Sequence, residues 1–117
     1  MVEWVARARR VLEGAGMSVS ESRARYKTLT GGSVGEVRVT GYSRDGLLKV
    51  SVSLREGEDG LRVSVLARGE ASRESLAEHL EALGANIDYN EGERLYGVLK
   101  RVDPGDVEDV LRSILEA

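Results

Sequence analysis

The single histidine is the first side chain of this sequence that could do chemistry. An imidazole titrates near neutral pH, so His79 could serve as a general base. Such a base needs a nucleophile, an orienting carboxylate and a cleft, and the sequence identifies none of these partners. His79 borders an apolar stripe that Leu76 and Leu83 form at helical spacing. We therefore expect a histidine at the edge of a buried helix face, without a catalytic task.

Three aspartates recur at every third position near residue 106. Asp103, Asp106 and Asp109 lie close to Glu108 in the sequence, and clustered carboxylates can hold Mg²⁺ or Ca²⁺. The spacing of an EF-hand loop is absent. An aspartate followed by a proline is typical of a helix start, where carboxylates interact favourably with the helix dipole. We expect a helix start here rather than a metal site.

One glycine-rich segment, TGGSVG at residues 30–35, could suggest phosphate binding. Phosphate loops join a strand to a helix whose N-terminal amides face the anion. This segment lies between two stretches that we expect to be strands, and its spacing fits neither a Walker motif nor GxGxxG. We predict a hairpin connection.

Composition excludes several classes of protein. The 117 residues contain no cysteine, which excludes disulfide scaffolds, thiol catalysis, zinc ribbons and iron–sulfur clusters. With 41% hydrophobic and 32% charged residues, the chain is typical of globular proteins. Its length suits a single domain over residues 1–117. Because no catalytic constellation can be recognised, we expect a protein that is not an enzyme and has no cofactor.

Composition also bears on habitat and location. The sequence has no glutamine and only two asparagines, a depletion of thermolabile side chains that indicates a thermophile. No segment has the ~7–15 apolar residues of a secretory signal or the ~20 that cross a bilayer. We therefore expect a cytoplasmic protein without a membrane partner.

The elements that would position these side chains follow from the spacing of apolar residues. Helical spacing predicts three helices: one at residues 2–15, one at 72–83 with Ser72 as N-cap, and one that starts at Pro104 with Asp103 as N-cap. The buried face of the third helix is expected to consist of Val107, Val110, Leu111, Ile114 and Leu115. Alternating apolar and polar residues predict strands at 19–29, 36–42, 48–55, 61–68, 85–89 and 94–101.

The resulting order, α-β-β-β-β-α-β-β-α, favours an α+β fold over a parallel sheet. We expect an antiparallel sheet of about six strands with the helices packed on one face. This order resembles that of the type III secretion chaperones, a dimeric α+β family that binds other polypeptides and usually has three strands before the middle helix. The resemblance implies a dimer and a polypeptide partner.

Apolar residues on both sides of some strands point to an interface. Leu47 and Leu66 fall on otherwise polar strand faces, and Tyr96 and Val98 give the sixth strand a second apolar side. Exposed apolar clusters commonly mark interaction sites. We interpret these four residues as the interface of a homodimeric adaptor or chaperone-like protein.

A different hypothesis follows from charge. Residues 1–50 contain nine basic and five acidic residues, whereas residues 51–117 contain eight and fifteen. A basic patch could neutralise the phosphates of nucleic acid, and Tyr26 or Tyr42 could stack on bases. Salt bridges on a solvated surface would also explain this polarity. The candidate residues of the nucleic-acid-binding alternative are Arg7, Arg10, Arg23, Arg25 and Lys27.

Overall fold

Six antiparallel strands form one sheet in the computed structural model, which describes residues 3–117. The strands are β1 (Ser18–Lys27), β2 (Ser33–Tyr42), β3 (Leu48–Arg55), β4 (Leu61–Arg68), β5 (Asn86–Asn90) and β6 (Arg94–Val102). The helices are α1 (Glu3–Gly14), α2 (Glu74–Ala82) and α3 (Val107–Glu116). The expected α+β order of elements is confirmed. Val2, predicted to lie in the first helix, is outside the described residues.

The spatial order of the strands is β1-β2-β3-β4-β6-β5. The first four strands follow one another as a meander, as the alternating pattern predicts. The second hairpin then joins the sheet through β6, which pairs with β4 and leaves β5 at the edge. This insertion makes β4 and β6 neighbours, although 25 residues separate the end of one from the start of the other.

The two faces of the sheet differ sharply in what covers them. The buried apolar strand residues all share one face, and they form the core together with buried residues of all three helices. On this inner face, Val39, Val52 and Val63 follow one another across adjacent strands. The helices therefore pack on one face, as expected. The other side of the sheet, here called the outer face, carries no helix.

Two glycines allow the helices to approach the inner face closely. A Cβ at Gly41 of β2 would lie 3.2 Å from Met17 Sδ and 3.3 Å from Leu12 Cδ1. A Cβ at Gly97 of β6 would lie 3.0 Å from Leu80 Cδ1 of α2. Such contacts are tight for a real side chain, so these two positions set how deeply the helices pack.

The prediction for the start of α2 was wrong. The helix begins at Glu74, and Ser72 ends a short 3₁₀ turn at Gly69–Ala71 instead of capping α2. The Ser72 hydroxyl donates a hydrogen bond of 2.8 Å to the Asn90 carbonyl oxygen. Arg73, in an extended conformation and without a side-chain cap hydrogen bond, precedes α2 instead, and Ser72 ties the helix entry to the end of β5.

At the start of α3, the predicted capping role of Asp103 is confirmed, but the helix begins later than predicted. Asp103 Oδ1 accepts a hydrogen bond of 2.7 Å from the Gly105 backbone N–H. This contact caps a short 3₁₀ turn at Pro104–Asp106, and α3 begins after it at Val107. No helix among residues 3–117 is long and apolar enough to span a bilayer.

Strand boundaries also differ at the first hairpin. β1 ends at Lys27, two residues before its predicted end, and β2 begins at Ser33, three residues before its predicted start. Lys27 and Ser33 are partners in the register, so residues 28–32 close the hairpin. Gly31 has a φ of +88°, a conformation that favours glycine. The glycine-rich segment is thus a hairpin connection, as predicted.

Candidate binding surface

The register across four strands brings six side chains together on the outer face. In antiparallel pairs, directly opposed residues lie on the same face. Tyr42 lies opposite Lys49, Lys49 opposite Leu66, and Leu66 opposite Tyr96. Two residues further along, the next pair on this face of β4 and β6 consists of two arginines. We call this set the outer patch; its members are Tyr42, Lys49, Leu66, Arg68, Arg94 and Tyr96.

Both tyrosines of the outer patch are open to solvent. Tyr42 is 44% exposed and Tyr96 is 40% exposed, which is high for side chains of this size on a sheet. Lys49 Nζ lies 5.6 Å from the centroid of the Tyr42 ring, within the range of a cation–π contact. The patch thus presents aromatic surface and positive charge side by side.

Next to the patch runs a row of small hydroxyl side chains. Thr40, Ser51 and Ser64 are cross-strand neighbours on the outer face. The hydroxyls of Thr40 and Ser51 lie 3.2 Å apart and share a hydrogen bond. Both residues are buried although no helix covers them, because longer side chains flank this row on the sheet. The row therefore forms a shallow strip of short side chains beside the longer side chains of the patch.

Charge is divided between the two sides of the sheet. The outer face of the six strands carries seven basic and two acidic side chains, an excess of five positive charges. The whole chain has a net charge of −3, so all other residues together carry −8. The basic residues are Arg38, Lys49, Arg55, Arg62, Arg68, Arg94 and Lys100, and the acidic ones are Glu36 and Asp88.

At the end of the outer face distant from the patch, carboxylates neutralise the arginines. Glu36 is buried, and its two carboxylate oxygens lie 2.9 Å from Arg38 Nη2 and 3.0 Å from Arg55 Nη2. Arg62 pairs with Glu58 at 3.3 Å. A buried carboxylate needs such partners, because an unpaired buried charge is costly. This end of the face is a salt-bridge network.

The cations of the outer patch are different. Within residues 3–117, no carboxylate lies in ion-pair distance of Lys49, Arg68 or Arg94. Arg68 and Arg94 are also directly opposed on neighbouring strands. Like charges directly opposite each other destabilise a sheet, so this pairing itself does not stabilise the fold. Both arginines remain available to a partner of opposite charge.

The four predicted interface residues come together at this surface. Leu66 and Tyr96 belong to the outer patch, and Val98 follows Tyr96 on the same face of β6. Leu47 lies in the β2–β3 turn and lines a groove with Tyr42, Lys49 and Leu66. Leu47, Leu66 and Val98 are half-buried, which leaves the tyrosines as the larger exposed apolar surface.

The residues of the nucleic-acid alternative do not form one surface. Arg23 and Arg25 lie opposite Val37 and Gly35, which places them on the inner face. Arg25 Nη1 donates to Glu56 Oε1 at 2.7 Å, and the same oxygen accepts the Gly35 N–H at 2.8 Å. Lys27, on the same side of β1, lies opposite Ser33.

The two arginines of α1 that belong to this alternative are on the helical side of the molecule. Arg7 pairs with Glu3 at 2.8 Å, and Arg10 lies 3.9 Å from Glu108 of α3. Carboxylates therefore neighbour Arg7, Arg10 and Arg25, whereas no ion pair involves Arg23 or Lys27 among residues 3–117. Exposed pairs of this kind add little to stability and reduce the local positive charge.

The histidine contacts a hydroxyl on another helix. His79 Nε2 of α2 is hydrogen-bonded to Ser113 Oγ of α3. A serine–histidine contact is one part of a nucleophile–base arrangement, which also requires a group that orients the imidazole. Among the described residues, no carboxylate is hydrogen-bonded to His79. The contact joins two helices on the inner side of the sheet.

Metal binding was the interpretation weighed against a helix start for the carboxylates at residues 103–109. Across residues 3–117, no group of three or more histidine, aspartate or glutamate side chains is placed to hold a metal ion. Asp103 is used by the turn before α3, as described above.

Three cations of the outer patch were not recognised in the sequence. Lys49, Arg68 and Arg94 alternate with apolar residues along their strands, as solvent-facing residues normally do. Adding the charges of alternate residues along each strand would have indicated this basic face. Comparing the net charge of residues 1–50 with that of residues 51–117 does not, because each half contributes residues to both faces. The chain matches no protein-family model and has no significant match among curated proteins.

Proposed function

We propose that the protein is a non-enzymatic binding module that holds an anionic macromolecule on the outer patch. The observation that carries this proposal is the division of charge: the face without helices has five excess positive charges in a chain of net charge −3. A charged face of this kind attracts partners of opposite sign and raises their rate of association. Three of these positive charges, Lys49, Arg68 and Arg94, lie in the patch without an ion-pair partner among residues 3–117.

The tyrosines give such a partner contact area as well as charge. Tyr42 and Tyr96 are each at least 40% exposed on the same row of the sheet. Tyrosine and arginine are enriched where proteins bind other molecules, since both offer apolar surface together with hydrogen-bonding groups. Binding would bury this surface and pair the free arginines.

A symmetric homodimer through the outer face is less favourable, although the apolar residues suggest it. In a two-fold dimer the same patch meets itself, so each positive face would oppose another. Packed sheets lie about 10 Å apart, and the Debye length at physiological salt is about 8 Å, so this repulsion is only partly screened.

An adaptor or chaperone-like role is the second candidate function. Its support is the apolar contact surface that Leu47, Leu66 and Val98 add around the patch. In this form of the proposal the occupant is a polypeptide whose acidic residues pair with Arg68 and Arg94. A polypeptide without acidic residues would leave these charges unpaired.

Titration with heparin, a polyanion without aromatic rings, tests the proposed function. We expect binding to the wild-type chain at low salt, and at least about tenfold weaker binding to the double variant Arg68→Ser/Arg94→Ser because two charge contacts are lost. The matched control is Arg23→Ser/Lys27→Ser, which removes two cations from the inner face and leaves the patch intact.

The control separates the surface from net charge alone. If the two double variants lose affinity equally, heparin responds to total charge and the outer patch is not the binding surface. Absence of heparin binding by folded wild-type protein at low salt would contradict the proposed function altogether. All four substituted residues are exposed, so circular dichroism should show an unchanged fold.

A further inference from the structure

We infer that the anionic macromolecule held by the outer patch is a single-stranded nucleic acid. This inference rests on the proposed function and adds the chemical class of the partner. It is carried by two exposed tyrosines at the ends of one row, with Lys49 between them and two arginines on the next row. This arrangement offers separate partners to bases and to phosphates.

The two tyrosines are placed to stack on two different bases. Tyr42 is on β2 and Tyr96 on β6, and two strands lie between them in the same row. Three strand spacings of about 4.8 Å separate the two positions by about 14 Å. Both rings are exposed on the side away from the core, so an unpaired base can reach each of them.

The cations lie where a backbone joining these bases would pass. Lys49 lies between the tyrosines on the row, and Arg68 and Arg94 border it on β4 and β6. Arginine suits phosphate because its planar group can donate two parallel hydrogen bonds. With no carboxylate in ion-pair range among residues 3–117, the three side chains need not break an ion pair to bind phosphate. Lys49 would exchange only its contact with the Tyr42 ring.

The hydroxyl row completes an open track along the sheet. Thr40, Ser51 and Ser64 are short, so a strand of nucleic acid can lie close to the backbone beside the patch. The hydroxyls of Thr40 and Ser51 bond to each other, whereas that of Ser64, which is only half-buried, can donate to or accept from sugar and phosphate groups. A duplex cannot use this arrangement fully, because its bases are stacked on each other and their faces are not available to tyrosine.

An acidic polypeptide would use the cations of the outer patch but not its aromatic rings. Carboxylates would pair with Arg68 and Arg94, but an acidic chain presents no π surface to Tyr42 and Tyr96. Aromatic stacking is therefore the property that distinguishes the two occupants. The experiment below separates stacking from charge.

The test uses a labelled single-stranded oligonucleotide of ~12 nucleotides, within the ~4–16 that one nucleic-acid-binding fold can cover. Its binding to the full chain is followed by fluorescence anisotropy. We expect the logarithm of the association constant to fall with the logarithm of salt concentration with a slope of about −2, for three phosphate contacts at about −0.7 each. A duplex of the same length should bind more weakly at every salt concentration.

Variants of the tyrosines measure stacking directly. Tyr42→Leu and Tyr96→Leu should each weaken oligonucleotide binding by about tenfold, with heparin binding unchanged, because leucine keeps apolar bulk and lacks a π face. Tyr42→Phe and Tyr96→Phe should retain oligonucleotide affinity. Tyr26→Leu is the matched control, since Tyr26 is an exposed tyrosine of the outer face beyond the patch.

The outcomes distinguish this inference from the proposed function. Heparin binding that depends on Arg68 and Arg94, combined with leucine variants that bind the oligonucleotide as wild type does, would overturn the nucleic-acid assignment and leave the proposed function standing. Equal affinity for duplex and single strand would overturn it as well. Competition by polyglutamate that exceeds competition by unlabelled oligonucleotide would instead identify an acidic polypeptide as the occupant.

Discussion

Single residues hold the outer face in shape without a helix above it. Glu36 is buried on this face and accepts from two arginines, and Thr40 and Ser51 share a hydrogen bond in the strip beside the patch. The alternation of residue types in the sequence predicts that these positions lie on the polar side of their strands. It does not predict which side chains pair, because that depends on the register between strands.

The β2–β3 turn, which carries Leu47 to the edge of the patch, depends on one carboxylate. Asp45 accepts hydrogen bonds from the Ser43 hydroxyl at 2.6 Å and from the Leu47 backbone N–H at 3.0 Å. These two bonds favour the ionised form and lower the pKa of Asp45. The turn therefore gains stability above the pKa that Asp45 has in the unfolded chain and loses it as pH falls through the folded value.

We predict that Ser43→Ala raises the pKa of Asp45 toward its ordinary value, since the stronger of the two bonds is removed. A pH titration of the Asp45 carboxyl carbon by nuclear magnetic resonance measures this directly in wild type and variant. Identical midpoints in the two proteins would show that the Ser43 hydroxyl does not stabilise the carboxylate.

At the scale of elements, local pattern and long-range pairing contribute differently. The strands β3 and β4 match their predicted bounds because one side of each is apolar throughout. β1 carries mostly exposed residues at the sheet edge, so its end could not be read from hydrophobic alternation. The start of α2 was misplaced because the backbone at Ser72 closes the preceding 3₁₀ turn, and its hydroxyl bonds to Asn90, which is remote in sequence.

The outer patch depends on β6, whose position beside β4 cannot be predicted from the alternation of apolar and polar residues. Arg68 meets Arg94, and Leu66 meets Tyr96, only because β6 pairs with β4. A hairpin joined through β5 would put these residues on strands that are not neighbours. The four apolar candidates could therefore be named from the sequence, while the cations beside them could not.

Packing of α2 on β6 gives a prediction for this element. We expect Gly97→Val to destabilise the fold by about 1–3 kcal/mol, because the new side chain would enter the space of Leu80 and force the helix away from the sheet. Urea unfolding followed by circular dichroism measures the change. Gly14→Ala is the control: nothing lies within 4 Å of its added Cβ, so stability should not fall. A Gly97→Val variant as stable as wild type would show that this close approach is dispensable.

For the whole molecule, the sheet separates two chemical environments. The helices and an excess of acidic residues lie on one side, and the exposed Tyr42 and Tyr96 lie on the other with the three cations of the patch. The basic excess of residues 1–50 suggested a nucleic-acid surface on α1 and β1, but several of those arginines have carboxylate neighbours. In the folded chain, each face of the sheet contains residues from both halves of the sequence. The charge of residues 1–50 therefore suggested a different surface from the one proposed.

The position of a bound oligonucleotide tests this account most directly. Nuclear magnetic resonance signals of the tyrosine rings and the leucine methyl groups can be followed while the single strand is added at low salt. We predict the largest changes at Tyr42, Leu66 and Tyr96, with small changes at Tyr26 and at the leucines of the helices. Changes concentrated on α1 and β1, with Tyr42 and Tyr96 unaffected, would contradict the assignment of the outer patch as the binding surface.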